Sequence, residues 1–382
     1  MTKQMYTIFL AFLLGLCSCE PSIDHPLAND NADNNAPPPQ SSDFFYGADL
    51  SYVNEMEDCG AVYNNVSGVQ EDVYQIFEEA GANLARFRLW HNPTWTNYSN
   101  LQDVKQSIQR AKSKNMTVLL DFHYSDTWAD PGNQEIPAAW LPQINNTNVL
   151  GQLLYDYTYD TLNELNSEGL LPDIVQIGNE TNGNILTQGD PFPLDWSRNS
   201  TLLNTAIQAV RDLSNAINTD IEVMLHIAQP ENGLWWFEQA AQNGVTDFDW
   251  IGLSYYPQFS NFTLDNIENP LTELINTYDK KLMIVETAYP FTLNNVDNAS
   301  NNLNAGSILP NFPATQQGQL DFLITLTEKI KSAGGSGVVY WEPAWVSTGC
   351  STLWATGSHW DNATLFDNNG NPTLGLNFYN NN

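Results

Sequence analysis

The sequence predicts an α/β fold, a (β/α)8 TIM barrel in a single domain with enlarged βα loops, and three observations carry the prediction. Eight short apolar runs are interleaved with segments of helical periodicity over about 340 residues, the arithmetic of eight strands and their return helices. The runs stop abruptly at polar or aromatic residues, as buried parallel strands do at their C-terminal ends. No glycine-rich phosphate turn follows the first run, which weakens the competing doubly wound sheet.

Taken in order, Phe44–Leu50 reads as the first strand. Glu71–Ala80 reads as a helix, with Val73, Ile76, Phe77 and Ala80 at helical spacing. Asn83–Trp90 is the second strand, and Leu101–Lys114 its helix, apolar at Leu101, Val104, Ile108 and Ala111. Thr117–Phe122 is the third strand, followed by a long loop rich in Trp, Asp and Pro and by the helix Val149–Leu165. The run Ile174–Ile177 ends in Gly178-Asn179-Glu180, and Leu202–Ile217 returns from it. Strands five to eight are Glu222–Ile227, Trp250–Ser254, Leu282–Glu286 and Gly337–Trp341, with helices near Leu234–Ala241, Leu271–Tyr278 and Gln316–Ser332 between them.

Ahead of the barrel, residues 1–19 read as a targeting signal. Lys3 precedes an apolar stretch from Tyr6 to Leu16, well short of the ~20 residues of a spanning helix. Leu16-Cys17-Ser18-Cys19 resembles a bacterial lipobox, with Cys19 as the acylated residue and Cys17 as the alternative. Residues 20–42, rich in Asn, Asp and Pro, read as a disordered tether, and 43–382 as the barrel.

Thirteen Lys and Arg against 44 Asp and Glu give a net charge of −31, which argues against nucleic acid or an anionic membrane surface as partner. Twelve Trp suit stacking on the apolar faces of sugars. Trp90, Trp128, Trp140 and Trp345, dense after strand ends, are expected to form such platforms along an open cleft. Cys59 and Cys350 follow strands one and eight, neighbours where a barrel closes, and export permits a disulfide between them. The five His show no metal-ligand spacing.

Active-site groups of a barrel sit where strands end. Those ends read Asp49, Arg86 and Arg88, His123, Asn179 and Glu180, His226, Tyr255 and Tyr256, Glu286, and Trp341 with Glu342. Two buried strands ending in a lone Glu fit paired-carboxylate chemistry on a glycosidic bond, whereas one alone reads better as the start of a solvated loop. Arg86 and Arg88 share a face by period-two alternation, and an inward Arg requires a carboxylate partner, for which Glu286 is the natural choice.

The segments Gly47-Ala-Asp-Leu-Ser51, Arg86-Phe-Arg-Leu-Trp-His-Asn-Pro93, Asp121-Phe-His-Tyr-Ser-Asp-Thr-Trp-Ala-Asp-Pro131, Gly178-Asn-Glu180, Ser254-Tyr-Tyr-Pro257 and Glu286-Thr-Ala-Tyr-Pro290 resemble glycoside hydrolase family 53. Its members are endo-β-1,4-galactanases acting on the galactan side chains of pectin. The resemblance runs from Phe44 to the C-terminus and implies a retaining glycosidase. It gives Glu180 as general acid/base and Glu286 as nucleophile. Asn179 then bonds the sugar 2-hydroxyl, and Arg86 lies near the nucleophile. Tyr256, with Tyr255 as fallback, holds the nucleophile. His123 and Trp341 line the subsite of the reacting galactose, with Asp49, Trp90 and Trp128 as further substrate contacts.

No cofactor is implied for catalysis. In some bacterial members the loop after the nucleophile binds calcium through an Asp- and His-rich run. Here Asp297 survives beside Asn295 and Asn301, without His, so a structural calcium stays open. The implied partners are β-1,4-galactan and its oligosaccharides, and a membrane reached through the lipid anchor, for a monomeric enzyme. A polymer too large to cross an outer membrane points to the cell surface of a Gram-negative bacterium. Another retaining endo-glycanase of the same clan, a mannanase or glucanase, is the alternative. A non-catalytic glycan-binding lipoprotein is a second, although a pure binder has no use for both carboxylates.

Overall fold

A computed structural model describes residues 44–380, in which eight strands close into a barrel in chain order. They are β1 (Phe45–Asp49), β2 (Leu84–Leu89), β3 (Thr117–Phe122), β4 (Ile174–Ile177), β5 (Glu222–Ala228), β6 (Trp250–Ser254), β7 (Lys281–Thr287) and β8 (Gly337–Tyr340). All neighbours run parallel, including β1 against β8. The signal and tether assigned to residues 1–42, with Cys17 and Cys19, lie outside the described residues.

The helices are α1 (Val53–Asp58), α2 (Val73–Ala80), α3 (Leu101–Ser113), α4 (Thr147–Ser167), α5 (Trp196–Ile217), α6 (Pro230–Gln242), α7 (Glu268–Tyr278) and α8 (Gln316–Ser332). Helix α5 begins ahead of the Leu202 predicted for it. Its first turns, Ser197 to Thr201, are polar and carry no apolar period, and their start is set by the Asp195 side chain accepting from the Arg198 N–H. Helix α6 likewise opens early, with Pro230 in its first turn, a position where a missing N–H costs nothing. The single-turn α1 was not expected. It has no side-chain cap and is held by burial of Val53 and Met56. Among the described residues no helix is long and apolar enough to cross a membrane.

Period-two alternation sorts the barrel interior into two levels. Leu84, Leu119, Ile174, Met224, Trp250, Met283 and Val339 form an apolar floor. Two residues further along β2 to β5 stand Arg86, Asp121, Gln176 and His226, all buried. On β6 the corresponding position is Gly252, where a Cβ would come 2.7 Å from the Met224 sulfur. A second, larger apolar shell, including Ile108, Leu154, Leu202, Trp236 and Phe322, fills the space between sheet and helices.

Two ties fasten the chain ends. Cys59, just after α1, is disulfide-bonded to Cys350 in the loop after β8, 291 residues away. Near the C-terminus the Tyr379 hydroxyl donates to the Gly47 carbonyl in β1 at 3.2 Å.

Candidate active site

The buried polar level is organised by Arg86. Its Nη1 donates to Asp49 at 2.8 Å and to Glu286 at 3.4 Å. Its Nη2 donates to Asp121 and to Asn179 Oδ1, each at 2.8 Å, and its Nε to Gln176 at 3.2 Å. A guanidinium this deep requires such partners. The expected partnership with Glu286 therefore exists, but it is the longest of three. Asp49 and Asp121 come from the flanking strands and approach more closely. Arg88 also points inward, yet it pairs with Glu342 at 3.1 Å and lies over the rings of Tyr52, Trp90 and Trp128.

Glu180 leaves β4 through a tight turn. Gly178 adopts φ +79°, and a Cβ there would meet the Thr181 methyl at 2.5 Å; Glu180 itself sits at φ +45°. Left-handed backbone at a non-glycine residue is strained and persists where surroundings hold it. Glu180 Oε1 accepts from the Ser254 hydroxyl at 2.5 Å. Across the cleft, Glu286 Oε1 accepts from the Tyr256 hydroxyl at 2.9 Å. An oxygen of Glu180, a nitrogen of His226 and an oxygen of Glu286 lie within 4.8 Å of one another. Both His226 nitrogens are already hydrogen-bonded, Nε2 to Ser254 and Nδ1 to groups of β4 and its turn, so this trio is not a metal site.

Burial pushes the Glu180 carboxyl up to about 7, against the pull of the Ser254 hydroxyl. Burial and the neighbouring Glu180 charge push Glu286 upward as well, while Arg86 and Tyr256 pull it down. Two carboxyls this close share a proton near neutrality. Placing it on Glu180 leaves the anion on Glu286, beside a guanidinium and a phenol O–H, which is the better-stabilised arrangement.

The two glutamates open into a cleft of about 470 Å³ walled by Trp128, Trp341, Trp345, Trp354 and Trp360, with Asn179 at its base. A larger hollow of about 730 Å³ beside α1 and α3 holds neither carboxyl, so the chemistry belongs to the smaller one. Among the sequence-predicted contacts, Asn179, Trp128 and Trp341 line the cleft, and Tyr256 reaches it through Glu286. Asp49, Trp90 and His123 stand behind it. Asp49 is occupied by Arg86 and by the hydroxyl and amide of Ser51. Trp90 packs edge-on against Trp128. His123 accepts from the Ala129 N–H through Nδ1 and faces Asp121 through Nε2 at 3.1 Å.

Of the four tryptophans expected as platforms, Trp140 is packed against His91 and Tyr157, away from the cleft. Trp345 reaches the cleft edge while stacked on Tyr52 at 3.8 Å. Trp354 and Trp360 were missed. They lie in the long loop after β8, where no periodicity marks them; the only signal was an aromatic in a polar run.

Asp297 bridges two loops. Its Oδ1 accepts from the Ala299 N–H and its Oδ2 from the Ser358 N–H, both at 2.7 Å, so it ties the loops after β7 and β8 directly. In the same two loops the side-chain oxygens Asn301 Oδ1, Asp361 Oδ1 and Asn362 Oδ1 are buried without a hydrogen-bond partner. Burial, with the Asp297 charge contributing, pushes the Asp361 carboxyl upward.

Residues 45–379 match the model of glycosyl hydrolase family 53. An arabinogalactan endo-β-1,4-galactanase of Cellvibrio japonicus is 55% identical over 344 residues, 89% of each chain. An endo-β-1,4-galactanase of Bacillus subtilis is 35% identical over 379 residues, covering 88% of this chain and 85% of its own. Among solved structures, a family 53 catalytic domain of Ignisphaera aggregans superposes with a TM-score of 0.82 at 31% identity, covering 90% of this chain and 97% of the other.

Proposed function

The chain belongs to glycosyl hydrolase family 53, and from that premise we infer that it is an endo-β-1,4-galactanase, a retaining glycosidase that cleaves internal bonds of galactan. The observation that carries the reading is the pair of carboxyls, Glu286 buried and Glu180 half-buried, with oxygens within 4.8 Å across the tryptophan-walled cleft. Retaining enzymes place their carboxyl groups about 5–5.5 Å apart, whereas inverting ones leave room for a water at roughly 6.5–9.5 Å.

Glu286 attacks the anomeric carbon while protonated Glu180 delivers its proton to the departing glycosidic oxygen. Water, deprotonated by Glu180, then displaces Glu286 and restores the starting state. Arg86 and Tyr256 keep the nucleophile charged, and burial keeps the acid protonated, so one site holds two carboxyls with opposite tasks. Asp49 and Asp121 hold the guanidinium in place, and Asn179, anchored by Arg86, offers its amide at the floor of the cleft. The test is release of reducing ends: linear β-1,4-galactan should be cut to oligosaccharides, and β-1,4-mannan and β-1,4-glucan left intact. Mannan or glucan cleavage at a comparable rate would shift the assignment to another member of the clan.

The mechanism above uses side chains alone. The orphaned oxygens of Asn301, Asp361 and Asn362 are hard donors, one of them from a carboxyl that feels the Asp297 charge, the donor chemistry calcium takes. A calcium ion held there would clamp the loops after β7 and β8, with Asp297 as hydrogen-bonded support. Thermal midpoints with added calcium and with chelator should differ, and the difference should vanish in Asp361→Ala.

The lipobox-like Leu16-Cys17-Ser18-Cys19 supports attachment to a bacterial membrane through acyl chains on Cys19. Residues 20–42 would then space a monomeric catalytic barrel from the lipid, on the outer surface where polymeric galactan is found. Intact mass of membrane-extracted protein reads this directly, and an unmodified mature chain would end the idea.

A further inference from the structure

Glu180 must act in turn as an acid and as a base, and its surroundings do not treat its two oxygens alike. Oε1 accepts from the Ser254 hydroxyl at 2.5 Å, whereas among the described residues none donates to Oε2. Behind Ser254 lies His226, wholly buried, with Nε2 at 2.9 Å from the Ser254 oxygen. The imidazole Nδ1 faces the Glu180 backbone N–H at 3.3 Å and the Gln176 side-chain nitrogen at 3.1 Å. That nitrogen of Gln176 is fixed by donating to Asp121 at 2.6 Å and to the Gly178 carbonyl at 2.9 Å. Asn179 Oδ1, which accepts from Arg86, lies at 3.0 Å from Nδ1.

Two proton arrangements are conceivable for this chain. With hydrogen on Nδ1, the ring would donate to Asn179 Oδ1 but lose the bond from the Glu180 backbone N–H, and Ser254 would turn its hydrogen toward Nε2. A serine oxygen would then face the Glu180 carboxylate at 2.5 Å with no proton between them whenever Glu180 is ionised, which no hydrogen-bond geometry supports. With hydrogen on Nε2, Nδ1 accepts, Ser254 receives from His226 and donates to Glu180, and the arrangement serves both charge states of the carboxyl. Protonating both nitrogens is opposed by burial and by the nearby Arg86 charge.

We propose that His226 and Ser254 are positioning residues that fix Glu180 Oε1 as a permanent acceptor, so that the acid proton resides on Oε2. The glycosidic oxygen thus meets the protonated oxygen of the carboxyl without a search over its two faces, and the same oxygen later takes the proton from water. Charged or titratable groups facing Glu180 come from four strands and two loops: Arg86 on β2, Asp121 on β3, His226 on β5, Glu286 on β7, Asp130 after β3 and Tyr256 after β6. None of them donates to Oε2, so Ser254 alone decides which oxygen is the acceptor. The inference rests on Glu180 being the acid, a role tested separately by the azide products described below.

The imidazole ring of His226 in the unmodified enzyme reports the arrangement through its nitrogen chemical shifts. The expected result is a neutral ring, protonated on Nε2, unchanged between pH 4.5 and 8.5. A ring protonated on Nδ1, or one that titrates in that range, overturns the proposal. Ser254→Ala removes a donor that favours the Glu180 anion. The alkaline limb of kcat/KM on galactan should therefore move up by about one pH unit. Ser254→Thr, which restores a hydroxyl, should return the limb to its place, as loss of packing alone would not. An alkaline limb unmoved in Ser254→Ala also overturns the proposal.

Discussion

Replacing Glu180 by Gln should stabilise the folded enzyme, and only on the alkaline side. Burial lifts this carboxyl from 4.5 to about 7, so between those values the folded chain holds a proton that the unfolded chain has released. The stability associated with that proton is complete below about pH 4.5 and is lost as pH rises through 7, where a charged carboxylate is left in the interior. A displacement from 4.5 to about 7, at 1.36 kcal/mol per unit, amounts to roughly 3 kcal/mol. Gln keeps the oxygen that accepts from Ser254 and carries no charge at any pH. The variant and the native enzyme should match at pH 4 and separate by about 3 kcal/mol at pH 8, roughly 4 °C in midpoint for a domain of this size. Thermal melts of both proteins across that range measure the gap. A gap of equal size at both ends would assign the effect to packing. A native enzyme more stable than the variant at pH 8 would refute the burial argument altogether.

Two single variants and azide separate the carboxylates. Glu180→Ala, given an activated aryl β-galactooligosaccharide, should form its glycosyl-enzyme and yield a β-azide, whereas Glu286→Ala should yield the α-azide; swapped anomers would interchange the roles. Trp354→Ala should raise KM on the polymer severalfold, because its ring is half exposed in the cleft wall, edge-on to Trp95. Trp140→Ala should leave kinetics unchanged and lower stability by about 3–5 kcal/mol, the cost of emptying a buried aromatic site; kinetic loss without destabilisation would place it in the cleft after all. Cys59→Ser opens a loop spanning 291 residues, for which chain entropy predicts up to about 6 kcal/mol. A melt unchanged by the substitution would show that the described hydrogen bonds alone hold that junction.

The strands were legible because each is a short apolar run with a sharp polar end, and both glutamates were legible because they are those ends. What could not be read was cross-barrel identity. Arg86 was paired with Glu286 alone, since nothing in a linear sequence says that Asp49 and Asp121 flank it until β1, β2 and β3 are laid side by side. Gln176 hid inside the apolar run of β4, although it touches Arg86, Asp121 and His226. Ser254 was visible in a motif but had no evident task before its hydroxyl was seen on Glu180. Trp140 was taken for a cleft residue because sequence distance from a strand end does not reveal which way a loop folds. The task of Asp297 in joining two loops was hidden, because a carboxylate in an Asn-rich loop does not show which backbone N–H groups it will meet.

The rim of the barrel carries non-glycine residues in left-handed backbone just beyond four strands: Tyr124, Glu180, Gln229 and Glu342. Each such residue holds back roughly 1–2 kcal/mol that glycine or asparagine would release. At position 342 that release is outweighed, because the substitution would strand Arg88 without its buried carboxylate partner. At position 180 the gain would erase the acid. Libraries meant to yield a hardier enzyme should exclude the rim and look for their increments in the outer helices, where the backbone is relaxed and the chemistry is far away.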